Sequence, residues 1–184
     1  MERCLIMDFD DTLVKTIDVH ADSWKHALER VLNQEIPIES IHADINYGMD
    51  ILLKKYQLTE KESQLAQRYK KEIFAKNIHK TRVNELLLYF IESKVFETYI
   101  IASNSSRENI DKIMSYHEID PNMFSLILSR DDVSEKKPHP EMGQTIFEKY
   151  TDIYNSNDYL MIGDSEVDLT FARKLDIKCI IVNF

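Results

Sequence analysis

Two acidic clusters lie near opposite ends of the chain, and each directly follows a short apolar run. Asp8 and Asp10 belong to DFDDT after CLIM, whereas Asp164 and Asp168 belong to GDSEVD after YLMI. Carboxylates this close in sequence favour metal binding or a raised pKa, and a hard cation such as Mg²⁺ prefers oxygen ligands. Both clusters are therefore candidates for binding a divalent cation.

Two further polar motifs lie between these clusters. Ser103 and Asn104 follow the apolar run YIIA, and Lys137 stands directly before a proline in KKPHPE. Phosphoryl transfer requires a nucleophile, a proton donor for the leaving oxygen, cations, and groups that hold the phosphoryl group in line. The four motifs together contain a candidate for each of these requirements.

Each motif by itself also has a purely structural explanation. Acidic residues after strands are commonly solvated turn formers, so Asp8 and Asp10 alone would favour a structural role. Asp164 and Asp168 could cap and charge the start of a helix, and Lys137 could be an exposed lysine before a turn. Four such coincidences in one chain are less economical than a single site, which favours the functional interpretation.

Five short apolar segments predict the buried strands that would position these motifs. They are residues 4–7, 99–102, 126–128, 159–162 and 179–182. Continuous apolar character is typical of parallel strands that are covered on both faces. In open α/β sheets, ligands collect beyond the carboxyl ends of the strands, where three of the polar motifs stand. The sequence therefore predicts an α/β fold with a Rossmann-like parallel sheet.

Residues 15–80 have a different pattern, with helical periodicity in WKHALERVL and MDILLKKY and a capped helix that begins at Thr59. This stretch contains no convincing strand, so it predicts an inserted helical subdomain. The expected organisation is a core domain from residues 1–14 and 81–184, with residues 15–80 as a helical cap subdomain.

A second capping pattern lies beside the serine motif. Ser105 is followed three residues later by Glu108, which predicts a capping box at the start of a helix. The free N–H groups of that first turn would face an anion beside Ser103 and could bind phosphate.

Composition bounds the partners and the compartment. A formal net charge of -9 and a pI near 5.2 argue against a nucleic-acid partner. Cys4 and Cys179 stand in apolar runs and predict inert thiols rather than a disulfide, which suits a reducing cytosol. No signal peptide or membrane-length apolar run is present, so we expect a soluble cytoplasmic protein with no membrane partner.

The four motifs, in this order, resemble those of the haloacid dehalogenase superfamily. Residues 8–12 match its pattern of Asp, apolar residue, Asp, any residue and Thr, and a strand ends at Ser103. Lys137 before proline and the acidic GDSEVD match the third and fourth motifs. The helical insertion between the first two motifs resembles the phosphoglycolate phosphatase and β-phosphoglucomutase branch.

The resemblance implies an Mg²⁺-dependent phosphatase, a phosphoric monoester hydrolase for a small phosphorylated metabolite such as phosphoglycolate or a sugar phosphate. Asp8 would be the nucleophile and become an aspartyl phosphate, and Asp10 would be the general acid and then the general base. The resemblance assigns the metal to Asp8, the main-chain carbonyl of Asp10 and Asp164, and phosphate binding to Ser103, Asn104 and Lys137. Asp168 would orient Lys137 or a metal-bound water.

The resemblance also bears on Asp11, His20 and residues 47–53. Asp11 occupies a place where glycine is common, which suggests that its backbone serves the phosphate while its side chain turns away. His20 shares a helix face with Trp24 and is a candidate for substrate specificity, with packing against Trp24 as the alternative. The stretch 47–53 is a candidate substrate-facing loop, but it lacks a convincing basic residue for a second phosphate.

Other functions remain open from the sequence. A receiver-like phospho-signalling domain also uses an acidic pair, a hydroxyl residue, a lysine before proline and Mg²⁺. It does not account for the long helical insertion or for GDSEVD after the lysine. A non-catalytic binding module on the same fold and, within the family, a phosphomutase are further alternatives. The protein is expected to be a monomer or a homodimer.

Overall fold

The computed structural model of the protein describes residues 3–45 and 49–183. The chain divides into two compact units, one formed by Met1–Lys15 with Arg82–Phe184 and the other by Thr16–Thr81. Each unit has a hydrophobic core of its own.

Strands and helices alternate along the first unit from Arg82 onward, and the second unit is helical. In chain order they are β1 (Cys4–Met7), β2 (Val14–Lys15), α1 (Ile17–Leu32), α2 (Ile38–Ile45), α3 (Met49–Lys55), α4 (Glu60–Asn77), β3 (Arg82–Val83), α5 (Glu85–Glu92), β4 (Thr98–Ala102), α6 (Arg107–Tyr116), β5 (Leu126–Leu128), α7 (Glu141–Tyr150), β6 (Tyr159–Gly163), α8 (Glu166–Lys174) and β7 (Lys178–Ile181).

Across the described ranges, the first unit contains a five-stranded sheet in the order β5-β4-β1-β6-β7, with every neighbouring pair parallel. Cys4 in β1 is in register with Thr98 in β4 and with Tyr159 in β6. The prediction of an α/β fold with a parallel sheet is confirmed, with strand ends that differ from the expected ones by a residue.

The central strand β1 is completely buried because its four residues are all apolar. Helices α7 and α8 pack against the sheet through Met142, Ile146, Phe171 and Ala172, all of which are fully buried. Full burial of one large apolar side chain contributes about 1.5–3 kcal/mol, so this core fixes the strand ends on which the polar motifs stand.

The helical unit is built around the contact between α1 and α4. Ala21, Trp24 and Leu28 on α1 are buried together with Ala66 on α4. Helix α4 begins with a capping box at Thr59, which accepts a hydrogen bond from the Glu62 N–H. The predicted capped helix at Thr59 is therefore confirmed.

A short antiparallel ribbon marks where the chain leaves and re-enters the first unit. Val14 pairs with Val83 and Lys15 pairs with Arg82, which joins β2 to β3. The ribbon brings the two ends of the inserted segment side by side.

Two remaining expectations concern loops and membranes. Tyr47, in the candidate substrate-facing loop, lies outside the described residues, and α3 begins within that stretch at Met49. Among the helices that the structure describes, none has the length and apolar character needed to cross a bilayer.

Candidate active site

The turn after β1 keeps the first acidic motif beside β6. The Asp8 N–H donates to the Ile162 carbonyl at 2.9 Å, which continues the pairing of the two strands. The N–H groups of Leu13 and Val14 both donate to the Phe9 carbonyl at 3.0 Å, and the chain reverses there. The reversal holds Asp8 and the residues after it at the carboxyl edge of the sheet.

Asp11 lies in this turn with a φ of 54°, a left-handed conformation that glycine, asparagine and aspartate adopt most readily. Its N–H donates to the Val14 carbonyl at 2.7 Å, so the amide closes the turn. The negative charge of Asp11 helps to raise the pKa of Asp164. The expectation that its side chain turns away from the phosphate stays a prediction.

The end of β6 and the start of α8 position the second acidic motif. Ser165 is the N-cap of α8, and Asp168 Oδ2 accepts hydrogen bonds from the Ser165 hydroxyl at 2.8 Å and the Ser165 N–H at 3.3 Å. A Cβ at Gly163 would lie 2.4 Å from Cβ and Cγ of Asp168. Glycine at this position therefore allows Asp168 to approach the strand.

Lys137 joins the two acidic motifs. The side chain is 2% exposed, and its Nζ lies 2.6 Å from Asp168 Oδ1 and 3.1 Å from Asp8 Oδ1. The peptide between Lys137 and Pro138 is cis. One buried ammonium therefore contacts carboxylates from opposite ends of the sequence.

The site carries more negative charge than its lysine can balance. The pKa of Asp8 is raised to about 8, chiefly by burial and further by the charges of Asp168, Asp10 and Asp164, while Lys137 opposes the shift. Burial is also the main reason that the pKa of Asp164 is raised to about 7. Without another cation, these carboxyls are held partly protonated near neutral pH.

Burial alone would lower the pKa of Lys137. The adjacent carboxylates of Asp8 and Asp168 outweigh burial, and the pKa of the lysine is raised above its usual value. The ammonium form of Lys137 is therefore the stable one in the folded protein.

The ionisation of Asp8 is subject to opposing effects. The Lys137 ammonium favours the ionised carboxylate of Asp8, whereas burial and the neighbouring carboxylates disfavour that ionised form. Without a metal ion the pKa of Asp8 is raised, because burial, together with the neighbouring carboxylates, outweighs the lysine.

The donor set fits a hard divalent cation. Carboxylate oxygens of Asp8, Asp164 and Asp168 lie within 4.8 Å of one another. Both oxygens of Asp168 are engaged, Oδ1 by Lys137 and Oδ2 by Ser165, whereas Lys137 contacts Asp8 through Oδ1. Asp8 and Asp164 are therefore the carboxylates better suited to hold an ion. The Asp10 side chain is not in this group, and the resemblance assigns its main-chain carbonyl to the metal. An oxygen-only donor set suits Mg²⁺, and its charge would stabilise the ionised carboxylates.

The serine motif lies at the end of β4. Ser103 is 1% exposed, its N–H donates to the Leu128 carbonyl at 2.9 Å, and its Oγ accepts from the Ser105 N–H at 3.1 Å. Asn104 Nδ2 donates to the Lys137 carbonyl at 2.9 Å, which fastens the lysine loop to β4. Asn104 Oδ1 is buried and has no hydrogen-bond partner among the residues described. The serine and lysine motifs are thus directly linked.

The predicted capping box at Ser105 and Glu108 is wrong by one residue. Ser106 is the N-cap of α6, and its Oγ accepts from the Asn109 N–H at 3.3 Å. The Ser105 hydroxyl instead donates to Asp10 Oδ2. The local pattern predicts that the Ser105 hydroxyl caps the helix, but this hydroxyl is bonded to a carboxylate from a distant part of the chain.

His20 belongs to the helical unit, and its contacts there involve α4. Its Nδ1 lies 2.8 Å from Lys70 Nζ, and its ring stacks on Phe74 with 4.3 Å between centroids. With the ammonium as donor, Nδ1 is the acceptor and the ring proton belongs on Nε2. The sequence pattern did not single out Lys70, because the contact spans 50 residues.

Comparison with known proteins agrees with this site and fold. The family model of haloacid dehalogenase-like hydrolases matches residues 5–182, which include all four motifs. The chain belongs to the haloacid dehalogenase-like hydrolase family. The predicted family membership is thereby confirmed.

Individual relatives are similar over most of their length. A phosphoglycolate phosphatase from Photorhabdus laumondii is 28% identical, covering 97% of this chain and 79% of the relative. A solved hydrolase from Pseudomonas syringae superposes with a TM-score of 0.78 at 21% identity, over 98% of this chain and 84% of that one. A solved β-phosphoglucomutase from Clostridium difficile superposes with a TM-score of 0.77 at 18% identity, over 100% of this chain and 86% of that one. The structures support the fold, and the phosphatase name agrees with the predicted enzyme class.

Proposed function

We propose that the protein is an Mg²⁺-dependent phosphatase that transfers the phosphoryl group of a small phosphorylated metabolite to Asp8 and then to water. The observation that carries this proposal is the buried Lys137 ammonium in contact with both Asp8 and Asp168, with the Asp164 carboxylate in the same cluster. An ammonium flanked by carboxylates that can hold a cation is suited to bind a phosphoryl group.

Asp8 is the proposed nucleophile because its carboxylate is fixed. Oδ1 accepts from the Phe9 N–H at 2.7 Å and contacts Lys137 Nζ at 3.1 Å. Oδ2 is therefore the candidate attacking atom. A bond from Oδ2 to phosphorus forms as the bond from phosphorus to the ester oxygen breaks, which divides one difficult displacement into two easier ones.

Asp10 is the proposed proton carrier for both halves of the reaction. Its carboxyl gives a proton to the leaving oxygen in the first step. In the second step its carboxylate takes a proton from water, whose oxygen attacks phosphorus as the bond to Asp8 breaks. General acid and base catalysis of this kind contributes about 10²–10⁴-fold in rate.

The remaining residues have binding roles in this proposal. Lys137 and the Ser103 hydroxyl would donate to the phosphoryl oxygens, and Asn104 would keep the two motifs together through the Lys137 carbonyl. Bound Mg²⁺, held by Asp8, Asp164 and the main-chain carbonyl of Asp10, would neutralise charge on the phosphoryl oxygens. Asp168 would hold the lysine in position through the 2.6 Å contact.

The proposed substrate is a small phosphorylated metabolite. Phosphoglycolate is a candidate because the Photorhabdus laumondii relative carries that name, and sugar phosphates are a second candidate group. We assign substrate selection to the helical unit, proposed as a cap subdomain of residues 15–80, with His20 as the candidate specificity residue. Phosphomutase activity is the alternative within the family.

The test compares Asp8→Asn with Asp152→Asn, a control at an exposed aspartate. Phosphate release from p-nitrophenyl phosphate and from a metabolite panel is measured with and without Mg²⁺. Asp8→Asn is expected to lose at least about a thousandfold in kcat/KM, because no other group replaces the nucleophile. Asp152→Asn and the native protein should have equal rates.

Two results would favour the other functions. Lasting phosphorylation by acetyl phosphate without turnover would support a receiver-like signalling domain. Absence of both Mg²⁺ binding and phosphate release would support a non-catalytic binding module. Full activity in Asp8→Asn would contradict the proposed nucleophile.

A further inference from the structure

Ser105 connects the serine motif to the proposed proton carrier. It lies in the loop between β4 and α6, is 8% exposed, and donates its hydroxyl hydrogen to Asp10 Oδ2. The two residues are 95 positions apart in sequence. The contact therefore depends on the folded sheet and not on local chain geometry.

The main chain of Ser105 is fixed on both sides. Its N–H donates to Ser103 Oγ at 3.1 Å, and its carbonyl accepts from the Arg130 N–H at 3.0 Å. Ser106 is the N-cap of α6, so the Ser105 hydroxyl does not cap this helix. With the backbone held, the Ser105 hydroxyl needs little rearrangement to engage Asp10.

The hydrogen bond makes the two oxygens of the Asp10 carboxyl inequivalent. An oxygen that accepts the Ser105 hydrogen is a poor site for a second proton, because protonation would oppose that donor. The proton that leaves during catalysis then belongs on the other oxygen, Oδ1. A carboxyl that rotates freely would present the correct oxygen for only part of the time.

We infer that Ser105 is a positioning residue for proton transfer: it orients the Asp10 carboxyl so that Oδ1 delivers the proton to the leaving oxygen. The bond between Oδ1 and hydrogen breaks as a bond between hydrogen and the leaving oxygen forms. In the second half, Oδ1 receives the proton from water. This inference rests on the proposed phosphatase function and adds a residue to its machinery.

The test uses two esters that differ in their need for a proton. Nitrophenolate leaves without protonation, whereas the alkoxide of benzyl phosphate requires it. Ser105→Ala should lower kcat/KM for benzyl phosphate by about 10–100-fold, a part of the full acid contribution, and change that for p-nitrophenyl phosphate by less than about threefold. Ser105→Thr, which retains a hydroxyl, should recover most of the loss.

Ser106→Ala is the matched control, because it removes a neighbouring serine that caps α6 and does not contact Asp10 in the described hydrogen bonds. It should leave the ratio of the two kcat/KM values unchanged, even if thermal stability falls. Melting curves of all variants show whether each is folded at the assay temperature.

An equal loss on both esters in Ser105→Ala, or no rescue by Ser105→Thr, would overturn the positioning role. That outcome is separate from failure of the proposed function, which would appear as undiminished turnover in Asp8→Asn. A selective loss on benzyl phosphate with rescue by threonine supports the inference.

Discussion

Lys137 is the residue on which the geometry of the site most depends. Lys137 is 2% exposed, and its ammonium contacts the carboxylates of Asp8 and Asp168, which stabilise its charged form against burial. Removing one member of a buried ionic group typically costs about 3–5 kcal/mol, because the partner is left uncompensated. The site is therefore part of the stability of the first unit as well as of its chemistry.

The absence of a side chain at Gly163 leaves room for Asp168. In Gly163→Ala the new methyl group would meet Cβ and Cγ of Asp168 at 2.4 Å. Asp168 must then move, which would release Lys137 and cost about 1–3 kcal/mol in overpacking. We expect both the melting temperature and kcat/KM to fall, the latter by more than about tenfold.

Gly143→Ala is the control for steric crowding alone. Its methyl group would lie 2.2 Å from Leu175 Cδ1, the end of an apolar side chain outside the site. It should lower stability and leave kcat/KM of the folded enzyme unchanged. Normal activity in Gly163→Ala would show that Asp168 does not need its observed position.

The helices and strands differ in how much their sequences reveal. The apolar runs of β1, β4, β5 and β6 predict strands because burial on both faces leaves no room for polar residues. The two-residue strands β2 and β3 carry no such signal, because each is short and has little apolar length. Their pairing is a consequence of bringing the ends of the inserted segment together.

Sequence patterns for helix caps are reliable only where the cap's hydrogen bonds are local. Thr59 caps α4 as its sequence predicts, because both hydrogen bonds of the box are local: its Oγ accepts from the Glu62 N–H, and its N–H donates to the Glu62 carboxylate. At α6 the local pattern favours Ser105, because Glu108 follows it three residues later, yet the Ser105 hydroxyl donates to Asp10 and Ser106 is the N-cap.

The motif positions at the strand ends follow from sequence. The contact of Ser105 with Asp10 and those of Lys137 with Asp8 and Asp168 depend on tertiary structure.

The capping box at Thr59 is expected to stabilise helix α4. Thr59→Ala removes the hydroxyl that accepts from the Glu62 N–H, and it should cost the helical unit about 0.5–2 kcal/mol in unfolding free energy. Urea unfolding followed by circular dichroism measures this loss. Thr151→Ala, at an exposed threonine after α7, should change stability by less than about 0.5 kcal/mol. Equal stability of Thr59→Ala and the native protein would contradict the role of the capping box.

For the whole molecule, the net negative charge repels anions, whereas the proposed site must bind one. A formal net charge of -9 disfavours anions at long range, so attraction of a phosphate ester must come from local donors and a bound cation. Lys137 and the carboxylate cluster meet this need within the first unit. Under the proposed function, a small ester with one phosphate group suits such a site better than a polyanion, and the absence of a nucleic-acid partner stays a prediction.

The central claim is that the phosphoryl group is transferred to Asp8. The direct measurement is acid quenching of the enzyme during turnover with Mg²⁺, followed by borohydride trapping and mass spectrometry of its peptides. The account predicts a modification confined to Asp8, which appears within the first turnover and disappears when substrate is exhausted. Trapping at another residue, or turnover with no trapped acyl phosphate while Asp8→Asn stays active, would contradict it.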